Sequence, residues 1–194
     1  EFAGYEMPIQ YTSIIAEHKA VRNSVGVFDV SHMGEVFVTG DKVLDFVQHI
    51  TINDASKLFP GRVQYSAMCY PDGGIVDDLL VYKISDKEFL LVINASNIDK
   101  DFSWMKENNK FGVTLNNRSD EFSLLAVQGP NSGKILKKLV PNMPELEYYH
   151  FTKGKVAGID MIISRTGYTG ELGYELYFTG DVSPGLRKAA PGKT

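Results

Sequence analysis

The chain contains a single cysteine, Cys69. One thiol can build neither an internal disulfide nor a cysteine-rich zinc site, so a disulfide scaffold is excluded and a reducing compartment is expected. Long apolar runs are also missing. The longest, at 79–82 and 89–93, have strand length and fall well short of the ~18 residues that suggest a membrane span. His18, His32, His49 and His150 are dispersed, so no zinc or other metal site is expected. Positive charge is in short supply: 20 Lys and Arg face 24 Asp and Glu, a net charge of −4. General nucleic-acid binding, which relies on net positive surface, is not expected. The segment Gly129-Pro130-Asn131-Ser132-Gly133-Lys134 has only three residues between its glycines and continues with Ile135, so it fails as a phosphate loop. No Gly-x-Ser-x-Gly elbow occurs, which leaves serine hydrolase chemistry without support. The opening Glu1-Phe2-Ala3-Gly4-Tyr5 shows no basic stretch leading into an apolar core, so it does not read as a secretory signal but as a start in mid-segment.

What is present is an ordinary globular composition, 43% hydrophobic and 23% charged. Runs rich in Val, Ile, Tyr and Phe predict strands over 35–39, 62–70, 75–84, 88–93, 122–127, 155–164 and 174–178. Pro71-Asp72-Gly73-Gly74 predicts a hairpin turn, and Ser85-Asp86-Lys87 a second turn. Helices are predicted over 13–24, 41–50, 97–108 and 130–140. In the third, Ile98, Phe102 and Met105 share one face. Hairpins with interposed helices indicate an α+β class with antiparallel sheets and flanking helices. Residues 182–194 show no period and read as a tail, a linker or non-native sequence.

Three segments carry candidate chemistry. Asp77-Asp78 interrupts the apolar run 75–82. Neighbouring strand residues face opposite sides, so one carboxylate is expected outward and the other toward an interior or cleft. A carboxylate in apolar surroundings needs a partner, and such sites are kept where a proton or cation is handled. The competing reading is an edge strand with two solvated acids. His32, in the link Asp29-Val30-Ser31-His32-Met33-Gly34, is a possible acid or base, against the plainer reading of a loop histidine. The stretch 164–175 places Gly167, Gly170 and Gly173 beside Tyr168, Tyr174, Glu171 and Glu175. Glycines let backbone approach a ligand. A carboxylate there can accept two parallel hydrogen bonds from an N–C–N edge such as a pterin presents. The competing reading is a glycine-rich hairpin with surface polar residues.

Eight segments in register resemble the folate-binding aminomethyltransferase superfamily, and within it the T-protein family of the glycine cleavage system. Among them are Phe2-Ala3-Gly4-Tyr5-Glu6-Met7-Pro8, Phe28-Asp29-Val30-Ser31-His32-Met33-Gly34-Glu35, Gly73-Gly74-Ile75-Val76-Asp77-Asp78-Leu79, Gln128-Gly129-Pro130 and the stretch 164–175. The resemblance runs from about residue 2 to about residue 180.

The resemblance implies a transfer reaction. A lipoyl arm on the H-protein carries an aminomethyl group, and the one-carbon unit passes to tetrahydrofolate as co-substrate with release of ammonia. It implies Asp78 as the catalytic residue and Asp77 as facing away or supporting structure. It implies Glu175 as the pterin-binding carboxylate and Tyr168 as a loop tyrosine lining the folate site. Tyr65, Asn94, Tyr149 and Met33 match further cofactor-binding positions, and Arg165 a structural one. It implies a discontinuous first domain at 1–38 and 118–180, a second at 39–117, and 181–194 outside both, with the family's C-terminal barrel domain absent. Bacterial cytoplasm or mitochondrial matrix is the implied location, with lipoylated H-protein and folate as partners and neither nucleic acid nor membrane. A folate-dependent demethylase, a non-catalytic folate-binding module and an inactive fragment are the alternatives.

Overall fold

The computed structural model describes residues 2–140 and 142–180. They form two compact units. Residues up to His32 and from Glu121 onward make the first, and Met33–Asp120 the second. The first unit begins with α1 (Ile14–Asn23) and β1 (Gly26–Asp29). Ser13, in extended conformation, caps α1 by accepting the Ala16 N–H. Helix and strand meet closely at Gly26, where an added Cβ would lie 2.6 Å from a Val21 methyl.

The second unit holds β2 (Gly34–Thr39), α2 (Val43–Ile50), β3 (Val63–Cys69), β4 (Ile75–Ser85), β5 (Glu88–Ile93), α3 (Ile98–Glu107) and β6 (Thr114–Asn117). The first unit then resumes with β7 (Phe122–Gln128), α4 (Ser132–Leu139), β8 (Phe151–Val156), β9 (Ile159–Ser164) and β10 (Gly173–Thr179).

Each unit is built on one five-stranded sheet with only antiparallel pairings. The orders are β1-β7-β10-β9-β8 and β3-β4-β5-β2-β6. This is the α+β arrangement expected from the sequence. In the second unit, α2 turns Val43, Phe46, Val47 and Ile50 onto a core with Val36, Val38, Met68, Leu79, Val81 and Leu91. Lys42 gives α2 no side-chain cap. Losing a cap costs about 1 kcal/mol, whereas each fully buried aliphatic or aromatic side chain contributes about 1.5–3 kcal/mol, so packing decides that this helix forms. In the first unit Leu136 on α4 joins Val127, Ile163 and Leu176 in a smaller core.

Three sequence expectations change. The single strand over 155–164 is two strands, because Ala157 and Gly158 both adopt positive φ (50° and 87°) and form the two-residue turn joining β8 to β9. β1 and β6 were not anticipated; each has only four residues, and β6 is largely polar. The expected boundary between residues 38 and 39 would cut β2, which pairs along its whole length with β5. The units divide instead between His32 and Met33, and again between Asp120 and Glu121. The stretch expected to be a tail or non-native segment, 181–194, lies outside the described residues.

Candidate functional site

Asp77 and Asp78 lie near the start of β4. The turn at 70–74 holds its shape through the Tyr70 N–H on the Gly74 carbonyl (2.7 Å) and the Gly73 N–H on the Tyr70 carbonyl (2.9 Å), with Gly73 at φ +90°. After it the register slips: Cys69 faces Ile75, while Met68 faces Asp77. The extra residue is Val76. This bulge resets the alternation, so that Asp77 shares the core face with Met68, Leu79 and Val81, and Asp78 shares the other face with Ala67 and Leu80. The two acids therefore do face opposite sides. The more buried of them is Asp77, at 7% exposure.

Asn94, just beyond β5, reaches both. Its amide Nδ2 donates to Asp77 Oδ1 (3.0 Å) and Asp78 Oδ1 (3.0 Å). The Tyr65 hydroxyl donates to Asp78 Oδ2 at 2.7 Å. That bond is the main reason the Tyr65 phenol is pushed above its ordinary value. Asp78 thus has both oxygens hydrogen-bonded by neutral donors while remaining partly exposed. Behind it, burial pushes the Asp77 carboxyl up, but hydrogen bonds involving Asp101, Asn94, Asn97 and the Asp78 backbone outweigh this and hold it below the usual range. Met33 immediately precedes β2, whose first residue, Gly34, pairs with Ile93, the neighbour of Asn94.

The first unit carries the other candidates. Phe28, Ala126, Glu175, Ser164 and Phe151 form one row across its sheet. Glu175 is 7% exposed. The Thr166 hydroxyl donates to Glu175 Oε2 and lies 2.9 Å from the Ser164 hydroxyl. Burial pushes the Glu175 carboxyl up, and hydrogen bonds from Thr166 and Tyr177 offset only part of this. The Tyr168 ring meets Phe28 edge-on at 5.8 Å. Desolvation and the Glu175 charge push its phenol up, and at 62% exposure it keeps surface free for stacking. Tyr174 joins the α4 core, on the sheet face opposite Glu175. Glu171 is taken by Arg22 at 3.0 Å.

The glycines of 164–175 have a different role from the one anticipated. Gln128, fully buried, donates to the Thr166 and Tyr174 carbonyls (3.2 and 3.3 Å) and accepts from the Thr169 hydroxyl (2.9 Å). A Cβ on Gly167 or Gly173 would come within 2.1 or 2.3 Å of its amide. Two of the three glycines therefore admit Gln128, which clasps the loop from inside. Sequence reasoning quoted this residue only within the family segment Gln128-Gly129-Pro130 and gave it no role, because a buried glutamine has no distinguishing pattern.

The remaining expectations resolve simply. His32 is buried, with Phe2 and Tyr5 packed edge-on against its ring at 5.4 and 6.2 Å; burial lowers its affinity for a proton. It is a packed residue of the N-terminal segment, more enclosed than a loop histidine. The Arg165 guanidinium donates to the Leu146 carbonyl, which fits the structural role expected of it. Tyr149 holds φ +60°, donates its N–H to the Arg165 carbonyl at 3.0 Å, and meets the Tyr148 ring at 4.6 Å. The residue missed altogether is Asp101 on α3, fully buried, which acts on Asp77. Among the described residues no three His, Cys, Asp or Glu side chains are grouped as a metal site would need, and no helix is long and apolar enough to cross a membrane.

A model of the GCVT N-terminal domain matches residues 1–188. The chain belongs to the GCVT N-terminal domain family. This GCVT N-terminal domain is 54% identical over 182 residues to an aminomethyltransferase of Halothermothrix orenii, covering 93% of this chain and 51% of the relative. It is 58% identical over 181 residues to one of Thermosipho melanesiensis, covering 92% of this chain and 50% of the relative. The crystal structure of the glycine cleavage system aminomethyltransferase T from Bartonella henselae superposes with a TM-score of 0.84 at 32% identity, covering 92% of this chain and 49% of that one. The chain therefore spans about half the length of the curated relatives it matches. A heterotetrameric sarcosine oxidase from Corynebacterium shares the fold, at a TM-score of 0.56 and 15% identity. The family resemblance drawn from the motifs stands.

Proposed function

We propose that this chain carries residues of a tetrahydrofolate-dependent aminomethyltransferase of glycine cleavage. In this reading a one-carbon unit moves from the aminomethyl-lipoyl arm of the H-protein to tetrahydrofolate, with release of ammonia. The observation that carries it is the constellation of Tyr65, Asp78 and Asn94, a partly exposed carboxylate fixed at both oxygens. The chemistry needs such a group. The transferred carbon exchanges a C–S and a C–N bond for two C–N bonds to folate nitrogens. Two protons leave those nitrogens, and the departing sulfur and nitrogen each take one up. A positioned carboxylate can relay protons as general acid and base. Tyr65 and Asn94 hold its geometry, and Met33 contributes contact to the ring.

Glu175 serves recognition. Its buried carboxyl, held by Thr166, is suited to a pair of parallel donors such as the N–C–N edge of a pterin. Tyr168 offers a stacking surface close by, and Tyr149 lines the same folate site. The names of the relatives, all aminomethyltransferases, support the reading.

The test is kinetic and calorimetric, on the full-length protein. Asp78→Asn lowers turnover about 10²–10⁴-fold, the usual contribution of a positioned acid or base, while leaving the unfolding midpoint close to wild type. Glu175→Ala weakens tetrahydrofolate binding in a calorimetric titration. Wild-type turnover in a folded Asp78→Asn protein overturns the reading.

A further inference from the structure

Asp101 sits on α3 with its side chain fully enclosed. Among the described residues neither of its oxygens has a hydrogen-bond donor, and Asp77 Oδ2 has none either. The nearest cation among the described residues is Lys100, whose ammonium is 3.6 Å from Asp101 Oδ1 and donates to the Val76 carbonyl. Through Lys100, which touches both the Val76 carbonyl and Asp101, α3 sets Asp101 beside the start of β4, where Asp77 and Asp101 act on each other's proton. Two ionised carboxylates placed side by side cannot hydrogen-bond each other, since both only accept. One carboxylic acid and one carboxylate can, with a single proton between them. An enclosed acidic pair holding no proton would also carry two uncompensated like charges, a cost that the single partly exposed Lys100 does not offset.

The pair is wired to the proposed catalytic carboxylate. Asp77 Oδ1 receives the Asn94 amide at 3.0 Å, and the same nitrogen lies 3.0 Å from Asp78 Oδ1 and 3.2 Å from the Asp78 carbonyl. One amide with two hydrogens thus serves three acceptors, and its orientation depends on how strongly Asp77 draws it. We propose that Asp101 is a positioning residue that keeps one proton between itself and Asp77, and thereby sets the pull of Asp77 on Asn94 and the orientation of Asp78. The inference rests on the proposed role of Asp78.

The charge balance explains the direction of control. With the proton in place the pair is singly negative, Asp77 is satisfied from Asp101, and Asn94 is shared evenly. Burial first, and then the Asp77 neighbour, push the Asp101 carboxyl up to about 8, with Lys100 opposing only in part. The pair titrates as a unit. On the alkaline side it loses the shared proton, Asp77 becomes a stronger acceptor, and Asn94 is drawn away from Asp78. The groups that face the pair are Lys100, Asn94, Asn97 and Asp78.

The experiment follows the carboxyl ¹³C signal of Asp101 and the pH profile of turnover in the full-length protein. Asp101 should titrate several pH units above an ordinary aspartate, and Asp77→Asn should bring that titration down. Wild-type kcat should fall tenfold per pH unit above the titration of the pair. In Asp101→Asn, whose amide donates at every pH, that alkaline fall should disappear and kcat should drop less than tenfold near neutrality. Asp101→Ala should drop kcat at least tenfold with KM within twofold; where it fails to fold, the asparagine variant and the ¹³C titration still decide. Titration of Asp101 in the ordinary carboxylate range overturns the shared proton. An unchanged alkaline fall in Asp101→Asn overturns the positioning role while leaving the transfer reaction standing. A full-length protein without any transfer activity removes both the reaction and the role.

Discussion

Glu175 in the first unit and the group of Asp77, Asp78 and Asp101 in the second are held by opposite means. In the first, Glu175 stands alone among neutral partners: the Thr166 hydroxyl and the Tyr177 side chain reach it, and among the described residues no cation does. The loop that brings Thr166 is itself fixed from within by Gln128. In the second, three acids crowd together. Asp77 and Asp101 meet behind the strand, Asp78 emerges in front, and one asparagine amide joins the two sides. A lone acid with fixed donors is a rigid recognition element, with little to exchange. A crowded group held together by a proton changes its hydrogen bonding when that proton leaves. Rigidity suits binding, and titratability suits proton transfer.

Changes that break this contrast differ in size. The largest stability effect is expected for Gln128→Ala, which strands two carbonyls and a hydroxyl and leaves a void against Gly167 and Gly173. A loss of about 2–4 kcal/mol should appear in urea unfolding, together with weaker tetrahydrofolate binding. Asn94→Leu removes the amide shared by Asp77 and Asp78. Hydrogen bonds to charged groups contribute about 1.5–3 kcal/mol, so a similar loss of stability should accompany a fall in kcat. Thr166→Val removes the donor to Glu175 while keeping shape. It should cost about 1–2 kcal/mol and raise the pH at which the Glu175 carboxyl titrates in a ¹³C spectrum. Arg22→Ala breaks an exposed pair with Glu171, worth about 0.2–1 kcal/mol, and so a shift of the melting midpoint near the limit of detection.

The contrast also has a pH signature. Asp101 binds its proton more tightly in the folded protein than in the unfolded chain, so its contribution is greatest near the ordinary aspartate pKa and is lost as pH rises toward about 8. Glu175, also raised, acts in the same direction, while Asp77, lowered, acts against it by losing stability as pH falls. Urea midpoints at pH 5.5 and 8.5 should therefore decline for wild type, and decline less for Asp101→Asn.

Much of this was legible from the chain, for physical reasons. Strands β3, β4 and β5 are long apolar runs bounded by turn residues, and Asp77-Asp78 stands out because charge is costly there. β8 and β9 merged in the sequence because a two-residue turn beginning with alanine lacks the usual Asn-Gly or Asp-Gly signal. The bulge at Val76 leaves no mark in composition, so strand alternation alone did not tell the two acids apart, and only the family resemblance assigned them different roles. Asp101 did leave a signal. It falls between Ile98 and Met105 at helical spacing, inside the stripe already taken as apolar, and a charged residue there is as conspicuous as one within a strand. Gln128 showed only as part of the family segment Gln128-Gly129-Pro130, since its partners, two carbonyls and the Thr169 hydroxyl, are brought close only by the folded loop.

The position of the second unit between the two parts of the first has a consequence in time. β1 pairs with β7, joining Gly26 to Gln128 and Asp29 to Leu125. At translation speeds of about 5–20 residues per second, β1 waits about 5–20 seconds after its own synthesis for that partner. Throughout this interval Met33–Asp120 is emerging and has all five of its strands within itself. The unit that begins second is thus the one able to finish first. Val27, 62% exposed even when paired, spends the wait on an unpartnered edge.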